Sequence, residues 1–506
     1  MSFARRVFRI TGAVVSAAVL IAAGGVALSG ALPLPSLPVD SERSTTSTHE
    51  VAQLNSSLYC PARMQLADAE DYGDAAFQAS EGNLTAGMRV SMMGALYQAD
   101  VSGIDGVSPT SLIGDGALAD GAVRSSVQEA SNSHILHTRT LQARSFTGAR
   151  GVVASWASQG DLRGISASSC VGFETTQSFL VPPTSTGWSQ QLILVNSSDK
   201  ATTVTLHVHS TKSSDEVSLE THATATVAAH AETVVDLAAA FASSDMSFVT
   251  VSSDAAPVAA VVRAVHMNGL TPQGSDYIQP LALASRSQVI PALSDAATVQ
   301  MGLYAGESGR AQLTFMGDSG KLGTRSLDYT AHQVFTQTLS SLPAGTRSLL
   351  IESTTPVRAS VLTTSAEADR GQSDFAVSSA ESAHTAYALT SPDSVSSRIE
   401  VTNASPQKHT ARVVAYDDAG NQVGQRDIEL NAQSTDSFSL SDIAQRGTSI
   451  HITQVEQGAG ALVVGQLLTQ SSLTDASVAQ RSTLTVPSME LSTAQYAVTQ
   501  RKTLLN

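Results

Sequence analysis

Nucleophilic catalysis needs a hydroxyl or thiol within hydrogen-bond reach of a base. Two segments carry the residue types, Val227-Ala228-Ala229-His230-Ala231 and later Gly317-Asp318-Ser319-Gly320-Lys321, histidine before serine. A metal centre needs three or four converging side chains. His207 and His209 stand two apart, which on a strand puts both rings on one face, but no third ligand is placed by sequence. Asp417-Asp418-Ala419-Gly420 has the residues of half a calcium loop and, equally, those of a hairpin turn. Trp156 and Trp188, the two tryptophans, flank Cys170 and offer either core packing beside it or a stacking platform for a ligand such as a sugar. Asn55, Asn83, Asn196 and Asn403 open Asn-x-Ser/Thr patterns, which carry little weight in a chain rich in serine and threonine. There is no phosphate-cradling glycine loop, no HExxH and no nucleophile elbow, so no catalytic, cofactor-binding or metal-ligating residue is assigned and no cofactor is expected.

The elements that would have to position these residues form a repeat. Short apolar strands recur at Phe179-Leu180-Val181-Pro182, Val289-Ile290-Pro291 and Tyr387-Ala388-Leu389, with a late echo at Leu484 to Pro487. The first two prolines are 109 residues apart. Within each period come alternating strands, such as Ala201 to His209 with Val204, Leu206 and Val208 on one face. A glycine turn follows, and Met316 to Lys321 matches Tyr416 to Asn421 at an offset of 100. The same alignment sets His230 opposite His332 and Gln433, and Ser319 opposite Ala419, so the serine and the histidine are turn positions of different units. The local match is to chymotrypsin-like proteases and it breaks at Lys321, where that family has glycine.

Arg5, Arg6 and Arg9 precede Ile10 to Val39, which contains no charge. About twenty helical residues cross a bilayer core, so the stretch can span, with the N-terminus inside by the positive-inside rule. Small-x-small sites at Gly25-Val26-Ala27 and Ser29-Gly30-Ala31 also fit a cleaved signal peptide. Either reading exports the bulk of the chain, to the cell membrane as a single-pass protein or to the medium. No later stretch approaches a second span, which excludes a channel or permease. The 44 acidic and 29 basic residues give a net charge of -15, which argues against nucleic acid as a partner. Cys60 and Cys170 are the only cysteines, and an exported pair predicts one disulfide closing a long loop.

Several of these features resemble one family: the N-terminal span, Cys60-Pro61, the run Leu162-Arg163-Gly164-Ile165-Ser166-Ala167-Ser168-Ser169-Cys170, and the strand ending in asparagine at Leu192 to Asn196. Over about residues 55 to 490 the chain resembles the uncharacterised single-span exported proteins of actinobacteria classed as domain of unknown function 5719. The resemblance implies an envelope location and no known activity.

The expected fold is mainly β, an N-terminal transmembrane or signal helix followed by tandem antiparallel Ig-like β-sandwich domains. The expected map is a basic stub at 1–9, the span at 10–32, a Pro/Ser/Thr stalk at 33–50, a first β unit with the disulfide at 51–177, sandwiches at 178–285, 286–383 and 384–490, and a tail at 491–506. Each sandwich is expected to fold alone, so that a fragment from about Ser382 onward stands by itself. The expected function is non-enzymatic: a structural or interaction protein of the cell envelope whose partner is another envelope protein or a wall polymer. An array of carbohydrate-binding modules and an enzyme with an unrecognised site are the alternatives.

Overall fold

Strand formation follows the alternation in the sequence. Thr202–His209 buries every second residue, with Val204, Leu206 and Val208 inward. A computed structural model of the chain describes residues 45–52, 54–67, 79–114, 116–340, 342–491 and 493–500. The chain is mainly β, built of multiple antiparallel sheets. The expected span at 10–32 lies outside the described residues; among the described residues no helix is long and apolar enough to cross a membrane. Thr45–Ala52 and Thr493–Gln500 pair as a two-stranded sheet.

Within residues 52–492, eight strands recur four times in one pattern. In the second copy the first, sixth, third and fourth strands form one sheet, Thr176–Val181, Ser247–Ser253, Thr202–His209 and Thr224–Val227. The fifth, second, seventh and eighth form the other, Ala231–Asp236, Trp188–Asn196, Ala259–Asn268 and Thr271–Ile278. Both sheets feed one core, in which Phe179, Val204, Leu206 and Val249 of the first meet Leu192, Leu194, Ala260, Val262 and Ile278 of the second.

The fourth copy repeats that order with Ala386–Thr390, Ser449–Gln454, His409–Tyr416 and Gln422–Leu430 against Ser434–Ser439, Ser396–Asn403, Leu462–Thr469 and Ser482–Thr485. The expected late echo at Leu484 is therefore the eighth strand of this copy rather than the opening of another. In the third copy the sixth and seventh strands run on as one, Ser348–Thr364, which passes from one sheet to the other near Pro356. The first copy, the unit of unassigned fold at 51–177, has the same order: Asn55–Cys60, His134–Thr140, Leu96–Ser102 and Thr110–Ser111 against Val123–Gln128, Thr85–Met93, Gly148–Ala157 and Gly164–Ser169. An immunoglobulin sandwich sets its first strand beside its second in an ABED sheet. Here the first strand lies beside the sixth and the second is in the opposite sheet, so the Ig-like expectation does not hold at the level of strand order. Alternation marks a strand and its buried face, but not the sheet that receives it.

Cys60 and Cys170 form the disulfide, buried in the first module and linking its first strand to the exit of its eighth. Gly151 passes directly beneath it: a β-carbon there would lie 3.1 Å from Val90 Cγ1 and 3.3 Å from Cys60 Sγ.

The four modules close into a ring. Gly164–Ser169, the eighth strand of the first, packs against Thr271–Ile278 and Ser482–Thr485, and Phe375–Ser379 packs against the same two. Outer contacts complete each joint. Tyr277 donates to the Ala62 carbonyl at 2.7 Å between the first and second modules. Phe248 and Tyr304 stack at 3.7 Å between the second and third. Arg398 meets Asp295 at 2.5 Å between the third and fourth. Arg89 reaches Asp393 at 3.0 Å and also Asp418, returning from the first module to the fourth.

Candidate functional site

Where the four eighth strands converge, two carboxylates are buried. Asp374 accepts from the backbone N–H groups of Ile165 at 2.8 Å, Arg481 at 2.8 Å and Phe375 at 3.0 Å, which belong to the first, fourth and third modules. Asp276, from the second module, accepts from Val377 at 2.8 Å and Ala167 at 3.5 Å. Burial pushes both carboxyls well above their ordinary range, and the backbone N–H bonds oppose it. Gly164 permits the approach, since a β-carbon there would sit 2.6 to 2.8 Å from the Asp374 carboxylate. A pair of buried acids with raised pKa values invites a catalytic reading. The bonds argue otherwise, because oxygens occupied by backbone N–H groups are holding strands together.

The residues singled out in the sequence are dispersed. His230 bonds Asp199 at 2.8 Å in the second module, while Ser319 sits in the exposed hairpin turn between Gly309–Gly317 and Gly320–Tyr329 of the third. His230, His332 and Gln433 all have positive φ, of 50°, 58° and 50°, as equivalent turn residues should. His207 and His209 share a strand face, but His207 bonds Glu216 at 2.7 Å and His209 faces the Tyr304 ring. Among the described residues no group of three or more His, Cys, Asp or Glu could hold a metal ion. Asp417 accepts from the Asn421 N–H at 2.9 Å within its own turn, and Asp418 binds Arg89 across the module joint. Trp156 is buried in the core, and Trp188 is stacked at 4.0 Å on His266, so the two candidate stacking residues are packed in separate clusters.

Asn196 and Asn403 are wholly buried clamps. The Asn403 amide donates to the carbonyls of Gln407 at 2.7 Å and Asn431 at 2.8 Å, and its oxygen accepts from Ser405 at 3.0 Å. Asn403→Ala leaves these groups unpaired and is expected to lower stability by about 2 kcal/mol in guanidinium unfolding.

A cavity of about 620 Å³ opens in the fourth module. Its wall is made by the turn after Ala386–Thr390, the short helix Leu440–Ile443, the end of Leu462–Thr469 and the start of Ser482–Thr485. Arg89 of the first module and Asp295 of the third complete it. Arg481 donates to Thr363 Oγ1 at 2.6 Å and to the carbonyls of Ser294 and Ala292 at 3.0 and 3.3 Å, and burial lowers its pKa to about 10. Ser391 Oγ, Ser482 Oγ and Arg398 Nε are buried in this wall without a hydrogen-bond partner. Sequence reasoning missed these residues, as it missed the central carboxylates. For the latter a signal existed: Ser275-Asp276-Tyr277 and Ser373-Asp374-Phe375 recur at an offset of 98. For the cavity none did, since serines and glutamines from four separate segments build it.

Residues 124–441 match a family described as a family of unknown function, DUF5719. No curated protein matches the chain. Among solved structures, the Streptomyces avermitilis α-L-rhamnosidase complexed with L-rhamnose aligns at 11% identity with a TM-score of 0.11, covering 84% of this chain and 58% of that one. At that score the similarity supports neither a shared fold nor a shared activity.

Proposed function

The chain belongs to DUF5719, a family of unknown function, and on that footing we propose that it is a non-enzymatic structural or interaction protein of the cell envelope, exported and held by its N-terminal apolar segment. The observation that carries this reading is the buried Cys60–Cys170 disulfide, because such bonds persist in oxidising compartments. A ring of four modules, its deepest carboxylates engaged by backbone N–H groups, suits a scaffold that presents surfaces to a partner. Cleavage of the N-terminal segment would move the protein to the medium and leave the rest of the reading intact.

Fractionation of cells, with a non-reducing peptide map of the recovered protein, tests it. Membrane or exported protein with the two cysteine peptides linked is expected. A cytoplasmic protein whose two thiols both alkylate would overturn the reading. Photo-cross-linking in intact cells then identifies the partner.

The second reading, binding of a wall polymer, is favoured by the cavity of the fourth module, whose hydroxyl and amide lining suits a polar ligand.

A further inference from the structure

Resting on that second reading and deepening it, we propose that the cavity of the fourth module binds an anionic, hydroxyl-rich unit of a glycan, a uronate or a polyol phosphate. Its volume of 620 Å³ falls in the range of small-molecule sites. No aromatic ring lines it, so stacking on a sugar face does not hold the ligand, and recognition falls to hydrogen bonds and charge.

Arginine supplies most of the charged groups in the cavity wall. Three guanidinium groups, of Arg89, Arg398 and Arg481, line the cavity against the single carboxylate of Asp295. Arg89 is engaged by Asp393 and Asp418, and Arg398 gives one amino group to Asp295. The Arg481 side chain donates only to neutral oxygens, which leaves its charge without a direct counter-ion. Guanidinium groups favour the planar oxygens of carboxylate and phosphate.

The donors that remain are in the wall itself. Ser391 is 6% and Ser482 2% exposed, and neither hydroxyl has a partner within the protein. Buried polar groups are normally bonded, so unpaired hydroxyls beside an unpaired Arg398 Nε mark places where a ligand completes the pattern. A hydroxyl can both donate and accept, which matches a polyol, while the arginine N–H matches an anion.

Isothermal titration of the full chain in detergent tests the proposal with four probes: a glucuronate disaccharide, glycerol phosphate, maltose and inorganic phosphate. Binding of the disaccharide or of glycerol phosphate is expected, at least tenfold tighter than maltose and inorganic phosphate, and the tighter of the two names the source of the anion. Arg398→Gln should weaken that binding at least tenfold. Ser391→Ala should weaken it about tenfold while leaving the melting temperature unchanged, because the hydroxyl it removes has no partner in the protein. The proposal is overturned by equal binding of maltose, which removes the anionic requirement, by equal binding of inorganic phosphate, which removes the polyol, or by failure of all four probes. None of these results touches the envelope reading, which stands or falls on fractionation and the state of the cysteines.

Discussion

Asp374→Ala is expected to lower the unfolding free energy of residues 52–492 by roughly 4–6 kcal/mol. Three backbone N–H groups, of Ile165, Arg481 and Phe375, lose their acceptor at once. Each buried donor left unpaired costs about 1–3 kcal/mol, and these three lie in the packing between eighth strands. The damage reaches three modules, because the three donors belong to three of them. Asp374→Asn should cost less, about 1–3 kcal/mol, since the amide oxygen can stand where one carboxylate oxygen accepts from both Ile165 and Arg481, and only the Phe375 N–H then faces the amide donor. Guanidinium unfolding followed by tryptophan fluorescence measures both. A loss under about 1 kcal/mol in the alanine variant would mean that the central carboxylate does not join the modules.

The repeat was legible where its strands alternate cleanly, as at Thr202–His209, and where turns reuse glycine, as at Gly320 and Gly420. The equivalence of His230, His332 and Gln433 followed from spacing alone and returns as three positive φ values. The first module escaped recognition because its fourth strand is only Thr110–Ser111 and its core relies on Met88 and Met92 rather than a Val/Ile alternation. Sheet membership was not legible either, since burial patterns are the same on either side of a two-sheet core. The ring was the largest omission. A buried aspartate accepting N–H bonds from other modules looks in sequence like a turn residue, and Arg481 like a surface charge. These same contacts bear on the expected independence of a fragment from Ser382 onward, which would carry Arg481 and Glu400 without their partners Thr363 and Ser294. The cavity is the least legible feature, since its serines differ from ordinary strand and turn positions only by where the chain folds.

Glu400→Gln is expected to make the protein more stable than wild type at pH 8 and about equal to it near pH 4.5. Glu400 is wholly buried at the joint of the third and fourth modules, bonded to Ser294 through one oxygen, while its other oxygen has no partner. Burial raises its pKa from 4.5 to about 7, opposed by Ser294 and by the charges of Arg398, Arg347 and Arg481. A carboxyl whose folded pKa lies above its unfolded value binds its proton more tightly when folded. Its favourable contribution is therefore complete below about pH 4.5 and is lost as pH rises through about 7. At about 1.4 kcal/mol for each pKa unit, the loss is roughly 3 kcal/mol. Asp276 and Asp374 titrate in the same direction and His451, lowered to about 4, in the opposite one, so the wild-type profile alone is not diagnostic. The difference between variant and wild type isolates Glu400, because the other groups are common to both. Chemical unfolding of the two proteins between pH 4.5 and 8 gives that difference. If the variant is instead the less stable at pH 8, the arginines hold Glu400 ionised, and the joint is an ion-pair network that strengthens as pH rises.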